Sequence, residues 1–377
     1  MFKDPRLQNT KKRIIVGMSG GVDSAVTAVM LKKQGHEVIG LFMKNWDEQD
    51  EKGQCLASLE YADVQNVCEQ FDIPYHSIEF IEEYRDNVFK EFLEEYQAGW
   101  TPNPDVLCNR EIKFKVFFQK AMELGADFIA TGHYCQVGFD KEGKAQLLKG
   151  RDPNKDQSYF LYTVKSHILE KVLFPIGHLL KPEVRALAQQ WDLSNKNKKD
   201  STGLCFIGER NFRDFLGQFI DASPGEFRSL NHEVVGEHIG AMFYTLGQRK
   251  GLGLGGPGEP WYVVDKDPKN NIVYVERDHD HPHLKRKELE SYQVSWVDSE
   301  FSLGPEMRAK AKIRYRQQDQ DCLVIPIGKD SFKVVFDTPQ RAITPRQSVV
   351  FYKDSVCLGG GMIDHLGKSL YEMNSED

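Results

Sequence analysis

The chain has 377 residues, 40% of them hydrophobic and 28% charged, with a net charge of −7. That length allows two or three domains with real cores. The acidic total excludes a protein that coats nucleic acid indiscriminately, while leaving room for local basic surfaces. No apolar run approaches the roughly 20 residues needed to cross a bilayer, so no membrane partner is expected. Seven scattered cysteines do not read as a disulfide framework. The start, MFKDPRLQNTKKR, lacks the apolar stretch of a secretory signal. The expected location is therefore the cytoplasm, where thiols stay available for chemistry.

Residues 14–26 read IIVGMSGGVDSAV: a β-branched run, a Gly-rich turn, then apolar residues at helical spacing. EVIGLFM is the next predicted strand, 82–99 a long helix, and ADFIATGHY a strand followed by a turn. Strands alternating with helices predict an α/β fold with a doubly wound parallel sheet. Ligands of such sheets sit at the carboxyl ends of strands, where SGGVDS and TGHY fall. After about residue 205 a helix-like NFRDFLGQFI passes into the loop GQRKGLGLGGPGEP. Beyond about 285, MRAKAKIRYR, CLVIPI, FKVVF and SVVFY follow a period of two, predicting a small β-barrel or sandwich. The expected division is a nucleotide domain over 1–210, a central adaptor over 211–282 and a β-barrel over 283–377.

Strand, Gly-rich loop and helix together form an anion cradle. A Walker A loop needs a Lys-Ser/Thr pair that is absent here, and the G-x-G-x-x-G fingerprint fails as well. In SGGVDS the adjacent glycines let backbone N–H groups wrap an anion, and Ser19 and Ser24 can add hydroxyls. Asp23 is out of place in an anion site unless it meets Mg2+ or orients a loop amide. The hexapeptide resembles the loop of the PP-loop ATP pyrophosphatases, which cleave ATP between the α and β phosphates. That resemblance implies ATP on Gly17, Met18, Ser19, Gly20, Gly21, Val22, Asp23 and Ser24, with Met43 at the adenine and Gly132 bordering the nucleotide.

Two further clusters carry chemistry. In TPNPDVLCNREIKF, Asp105 stands three residues before Cys108, close enough to share one side of a helical turn. A carboxylate raises the pKa of a neighbouring thiol, so Asp105 suits proton transfer better than thiolate activation. In DSTGLCFIGERNF, Cys205 lies between Gly203 and Gly208. There is no C-x-x-C, which argues against a zinc ribbon or a thioredoxin-like pair, and no protein-held metal site is expected.

PNPDVLCNREIKF, STGLCFIG, YTLGQRKGLG and LGGGMI occur in order, and with the loop they resemble the tRNA-specific 2-thiouridylases from residue 13 to about 365. The resemblance implies adenylation of the C2 oxygen of the wobble uridine. Cys205 would carry a persulfide, Cys108 would close a disulfide with it, and Asp105 would act as general acid/base. It implies ATP and Mg2+ as cofactors and the anticodon arm of Lys, Glu and Gln tRNAs as substrate. A relay protein or a cysteine desulfurase would donate sulfur. Asn103, Pro104, Asp105, His133, Lys155, Asp156, Gln157, Arg314, Tyr315 and Gln347 would contact tRNA. Read as one strand, residues 308–316 put five cations on one face, a phosphate-tracking stripe. Gln248-Arg249-Lys250 is a further expected backbone contact. Other readings stay open: an iron–sulfur cluster on Asp105, Cys108 and Cys205, an amide-forming synthetase, a non-catalytic tRNA-binding protein, or a persulfide scaffold.

Overall fold

The computed structural model describes residues 2–8, 10–46, 56–200 and 212–375. Ile14, Ile15 and Val16 are fully buried, and their β-branched side chains favour the extended backbone of β1 (Arg13–Met18). The chain turns at Gly20 and Gly21 into α1 (Val22–Lys33), which is buried along most of its length and ends before Gly35 at φ +90°. Next come β2 (Glu37–Lys44), α2 (Leu56–Gln70), β3 (Tyr75–Glu79) and β4 (Phe128–Ala130). A hairpin of β5 (Cys135–Phe139) and β6 (Ala145–Lys149) precedes the short β7 (Val172–Leu173).

The first sheet runs β3-β2-β1-β4-β7 with every pairing parallel, as the alternating pattern predicts. Strand order reverses between β1 and β4. The loops leaving their carboxyl ends, SGGVDS and TGHY, therefore flank one crevice. Between β3 and β4 the chain is helical over 81–97 and 104–123. Each run contains wide turns of the i→i+5 kind, Arg85–Phe89 in one and Cys108–Phe117 in the other. Such widened turns concentrate at functional sites.

A second sheet comprises β8 (Gly225–Arg228), β9 (Val234–His238), β10 (Trp261–Asp267) and β11 (Ile272–Arg277), in the order β10-β11-β8-β9. GQRKGLGLGGPGEP is an irregular connection within it, as its composition predicts. The third sheet is a closed barrel of β12 (Lys285–Trp296), β13 (Met307–Lys312), β14 (Gln320–Pro326), β15 (Phe332–Arg341), β16 (Ser348–Lys353) and β17 (Val356–Leu366). Neighbouring strands pair in the order β12-β15-β14-β13-β16-β17, and β17 returns to β12. The β5–β6 hairpin then adds to the outside of β17, with Leu148 opposite Val356. The first and third parts of the chain thus share one hydrogen-bonded sheet.

One expectation fails here. Residues 308–316 are not a single strand, because β13 ends at Lys312 and Arg316 takes a positive φ of +63°. Lys312 is buried, 3.4 Å from Asp156 and 3.8 Å from Asp319. Arg308 pairs with Asp337 at 2.5 Å and Lys310 with Asp321 at 3.8 Å. The apparent stripe dissolves because alternation along the sequence cannot report the carboxylates supplied by neighbouring strands. Arg314 and Arg316 remain exposed.

Candidate active site

The loop is built for an anion. Gly21 caps α1 without any side-chain hydrogen bond, so no capping side chain competes for the first-turn N–H groups. Gly20 sits at φ +69°, where a Cβ would come 2.6 Å from the Glu60 carbonyl oxygen. Only glycine fits there. The Ser24 hydroxyl donates to the Gly21 carbonyl at 3.0 Å and accepts from Ser19 N–H at 3.2 Å, tightening the turn. The buried Asn195 donates from Nδ2 to the Gly20 carbonyl at 3.0 Å. Gly132 closes the crevice, since a Cβ there would lie 2.8 Å from the Asp23 carbonyl carbon and the Ser24 nitrogen. Met43 is buried at the end of β2, and a Cβ on Gly17 would meet its Cε at 3.6 Å.

Asp23 has partners that local motif reading missed. Lys181 donates to both of its oxygens at 2.8 Å, and the Tyr134 hydroxyl donates to Oδ1 at 2.8 Å. The ammonium also lies 2.9 Å from Asp200, which Arg185 meets at 2.5 Å and Lys155 at 2.6 Å. Burial works against ionisation of Asp200, but these hydrogen bonds and charges outweigh it and hold its carboxyl well below its ordinary value. The sequence does contain a signal for Lys181. It opens the helix Lys181–Gln190, where the helix dipole disfavours a cation, so a lysine there needs an anionic partner.

Asp105 and Cys108 lie on the run that begins at Pro104, which occupies the first position of its helix. Asp105 is half-buried and Cys108 fully buried. The same run reaches the loop through Phe117, whose Cζ would stand 3.5 Å from a Cβ on Gly17. Its Phe114 ring lies 5.9 Å from the His133 ring. Arg110 donates to Glu111 at 2.7 Å. Cys205 lies outside the described residues, and the persulfide and disulfide expectations lie there with it. Among the described residues, no three His, Cys, Asp or Glu side chains form a metal-ligating group.

The expected tRNA contacts divide. Asn103, Leu107, Arg110, Ser348 and Arg346 line a cavity of about 130 Å3 between the helix and the barrel. Pro104 and His133 are buried, and burial, with the charge of Lys113, drives the His133 pKa well down. Its Nδ1 shares a 2.7 Å hydrogen bond with Thr131. Asp156 faces inward, accepting from Gly150 N at 3.0 Å and from the Ser158 backbone and hydroxyl at 3.1 and 3.0 Å. Gln157 accepts from Tyr134 N at 3.0 Å. Tyr315 packs on Phe160 at 4.7 Å beside the exposed Arg314. Gln347 donates to the carbonyls of Thr101 and Pro102 at 2.8 and 3.3 Å. Arg249 and Lys250 are exposed.

A parallel-sheet domain with a lysine-free phosphate loop, followed by two β domains, defines an enzyme of the PP-loop ATP pyrophosphatase class. Three family models match in succession. They are the tRNA methyl transferase HUP domain over residues 12–209, the tRNA methyl transferase PRC-barrel domain over 213–277 and the Aminomethyltransferase beta-barrel domain over 286–363. The tRNA-specific 2-thiouridylase MnmA of Protochlamydia amoebophila is 54% identical over 362 residues, 96% of each chain. That of Serratia proteamaculans is 55% identical over 361 residues, 94% of this chain and 98% of its own. Among solved structures, the U34-tRNA thiolase NcsA from Methanococcus maripaludis matches 57% of this chain and 66% of its own, at 18% identity and TM-score 0.36. The chain belongs to the tRNA-specific 2-thiouridylase family, and it is a tRNA sulfurtransferase.

Proposed function

We propose that the protein converts the wobble uridine of tRNA to 2-thiouridine at the expense of ATP. The observation that carries this reading is the contact between the anion loop and the helical run bearing Asp105 and Cys108, made through Phe117 against Gly17. That packing ties the end of β1, where the loop begins, to the helical run on which the carboxylate and thiol lie.

The reaction divides into two displacements. The C2 oxygen of uridine attacks the α-phosphorus of ATP, and pyrophosphate leaves with the electron pair of the broken P–O bond. A persulfide on Cys205 then attacks C2 through its terminal sulfur, and AMP leaves. The Cys108 thiolate attacks the inner sulfur of Cys205, so the S–S bond breaks and the outer sulfur stays on the base. The resulting Cys108–Cys205 disulfide needs two electrons from a cellular dithiol or a pair of thiols, themselves oxidised to a disulfide, before the next turnover. Asp105 would hold or deliver the proton at the base.

Asp23 is an acid at the mouth of an anion site and is already met by a cation. Both of its oxygens are taken by Lys181, so Asp23 would hold Mg2+, which would neutralise phosphate charge, once that ammonium turned away. The sulfur donor would be a persulfide-bearing relay protein or a cysteine desulfurase, and the substrates the tRNAs for Lys, Glu and Gln. Residues 1–210, 211–282 and 283–377 would act as catalytic, adaptor and tRNA-holding domains in the cytoplasm.

The test incubates the protein with Mg-ATP, a persulfide donor and an unmodified tRNA transcript, followed by digestion and mass spectrometry. 2-Thiouridine at the wobble position that depends on ATP and is lost in Cys205→Ser supports the reading. AMP formation without a thiolated base would sink it and favour the synthetase.

A further inference from the structure

We propose that Asp156 serves thiolation by holding Lys312, and through it the segment Arg314–Tyr315, in a fixed place beside Cys108. The role rests on the thiolation reading above and changes the part expected of Asp156. It is a positioning residue for the surface that meets tRNA and does not itself touch RNA. Asp156 is only 5% exposed. Its Oδ1 accepts from the Gly150 and Ser158 backbone N–H groups, and its Oδ2 from the Ser158 hydroxyl and, at 3.4 Å, the Lys312 ammonium. Those four donors fill the roughly four lone-pair sites of a carboxylate. Nothing is left over for RNA, whose phosphates would repel the charge.

The ion pair crosses from the nucleotide part of the chain to the barrel. Lys312 is the last residue of β13 and is buried. It also lies 3.8 Å from Asp319, which Lys149 meets at 2.5 Å. Two lysines thus face two carboxylates beside the Tyr352 ring, whose centre is 5.2 Å from the Lys312 ammonium and 4.3 Å from that of Lys149. Two residues beyond Lys312 comes the exposed Arg314, and then Tyr315, which packs on Phe160 at 4.7 Å. Phe160 belongs to the short helix Ser158–Leu161, directly after Asp156 and Gln157. Residues 156–160 therefore grip residues 312–315 at two points, one ionic and one aromatic. On its other side the Phe160 carbonyl accepts from Asn109 Nδ2 at 3.2 Å, and Asn109 adjoins Cys108. The grip so relates Arg314 to the thiol through a few packed side chains. A misplacement of about 1 Å can cost about a hundredfold in rate, so loss of the pair should show in the reaction rather than in affinity.

The test sets single-turnover thiolation at saturating tRNA beside the dissociation constants of tRNA and ATP, using the full-length protein. Asp156→Asn keeps the shape of the side chain and removes its charge. It is expected to slow thiolation at least tenfold, with tRNA affinity within threefold, its salt dependence unchanged and ATP affinity within twofold. Lys312→Met leaves Asp156 its three other donors. It is expected to act alike, and it carries the test alone if Asp156→Asn does not fold. The double variant should be no slower than the slower single one, because both remove the same link. Rates that multiply in the double variant, or tRNA affinity that falls in step with the rate, would overturn the role in favour of a direct RNA contact. Thiolation and ATP affinity falling together would overturn it in favour of a general structural part. Variants as fast as wild type would overturn it outright. Wild type that makes no 2-thiouridine would instead overturn the thiolation reading itself.

Discussion

Gln347 of the barrel donates its side-chain amide to the backbone carbonyl of Thr101 at 2.8 Å. The bond spans 246 residues of chain, and it holds the segment that leads through Pro102 and Asn103 to Asp105. Arg346, next to Gln347, reinforces the junction through a 2.9 Å ion pair with Glu95. The barrel therefore braces the helical run that carries Asp105 and Cys108.

Replacing Gln347 with Ala leaves two carbonyls without this donor. A hydrogen bond of this kind contributes about 1 kcal/mol net, so the loss of stability should be small. Thiolation should fall much further, by tenfold or more, because Asp105 loses its support, while ATP affinity stays within twofold. Single-turnover thiolation measured beside nucleotide binding checks this. Equal losses in both would mean a general loosening of the fold.

Gly20→Ala places a Cβ against the Glu60 carbonyl at a positive φ. The strain is about 1–2 kcal/mol, and relieving it must shift the loop. ATP binding is expected to fall at least tenfold with only a modest drop in thermal midpoint. Calorimetric titration with ATP is the measurement, and unchanged affinity would mean that the loop does not hold the phosphates.

The cations of 308–316 should not contribute equally to tRNA binding. Arg314→Ala and Arg316→Ala remove exposed charges, and each should weaken binding several-fold and flatten its salt dependence. Arg308→Ala removes a charge already matched by Asp337 and should change affinity less than twofold. Filter binding across a salt series separates the two groups. A uniform effect would restore the continuous stripe.

Asp200 makes part of the stability depend on pH. Burial raises its pKa, but hydrogen bonds from Lys155, Lys181 and Arg185 lower it further, so the folded value lies below the ordinary 3.8. A depressed carboxyl stabilises the fold above its unfolded pKa and stops doing so as pH falls through the folded one. The urea midpoints of wild type and Asp200→Asn should differ most near neutral pH, and the gap should begin to narrow as pH falls below about 4. A constant gap down to pH 3 would show that ionisation of Asp200 is not what Asn removes.

Much of this architecture was legible in the sequence because its signals are local. The run Ile14–Val16 dictates a strand, Gly20 and Gly21 dictate a turn, and the period-two stretches after 285 appear as β13 to β16. The motif Asn-Pro-Asp with Cys108 three residues on likewise belongs to one helical turn, which Pro104 opens.

What stayed hidden needed partners from distant parts of the chain. Lys181 meets Asp23 across 158 residues, and Lys312 turns inward because Asp156 waits for it. The β5–β6 hairpin pairs with β17 because an exposed strand edge seeks a partner wherever the chain folds back. Hydrophobic period and backbone propensity act over a few residues and can be read in order. Charge neutralisation and edge pairing act through space, so only the tertiary structure decides which carboxylate meets which lysine.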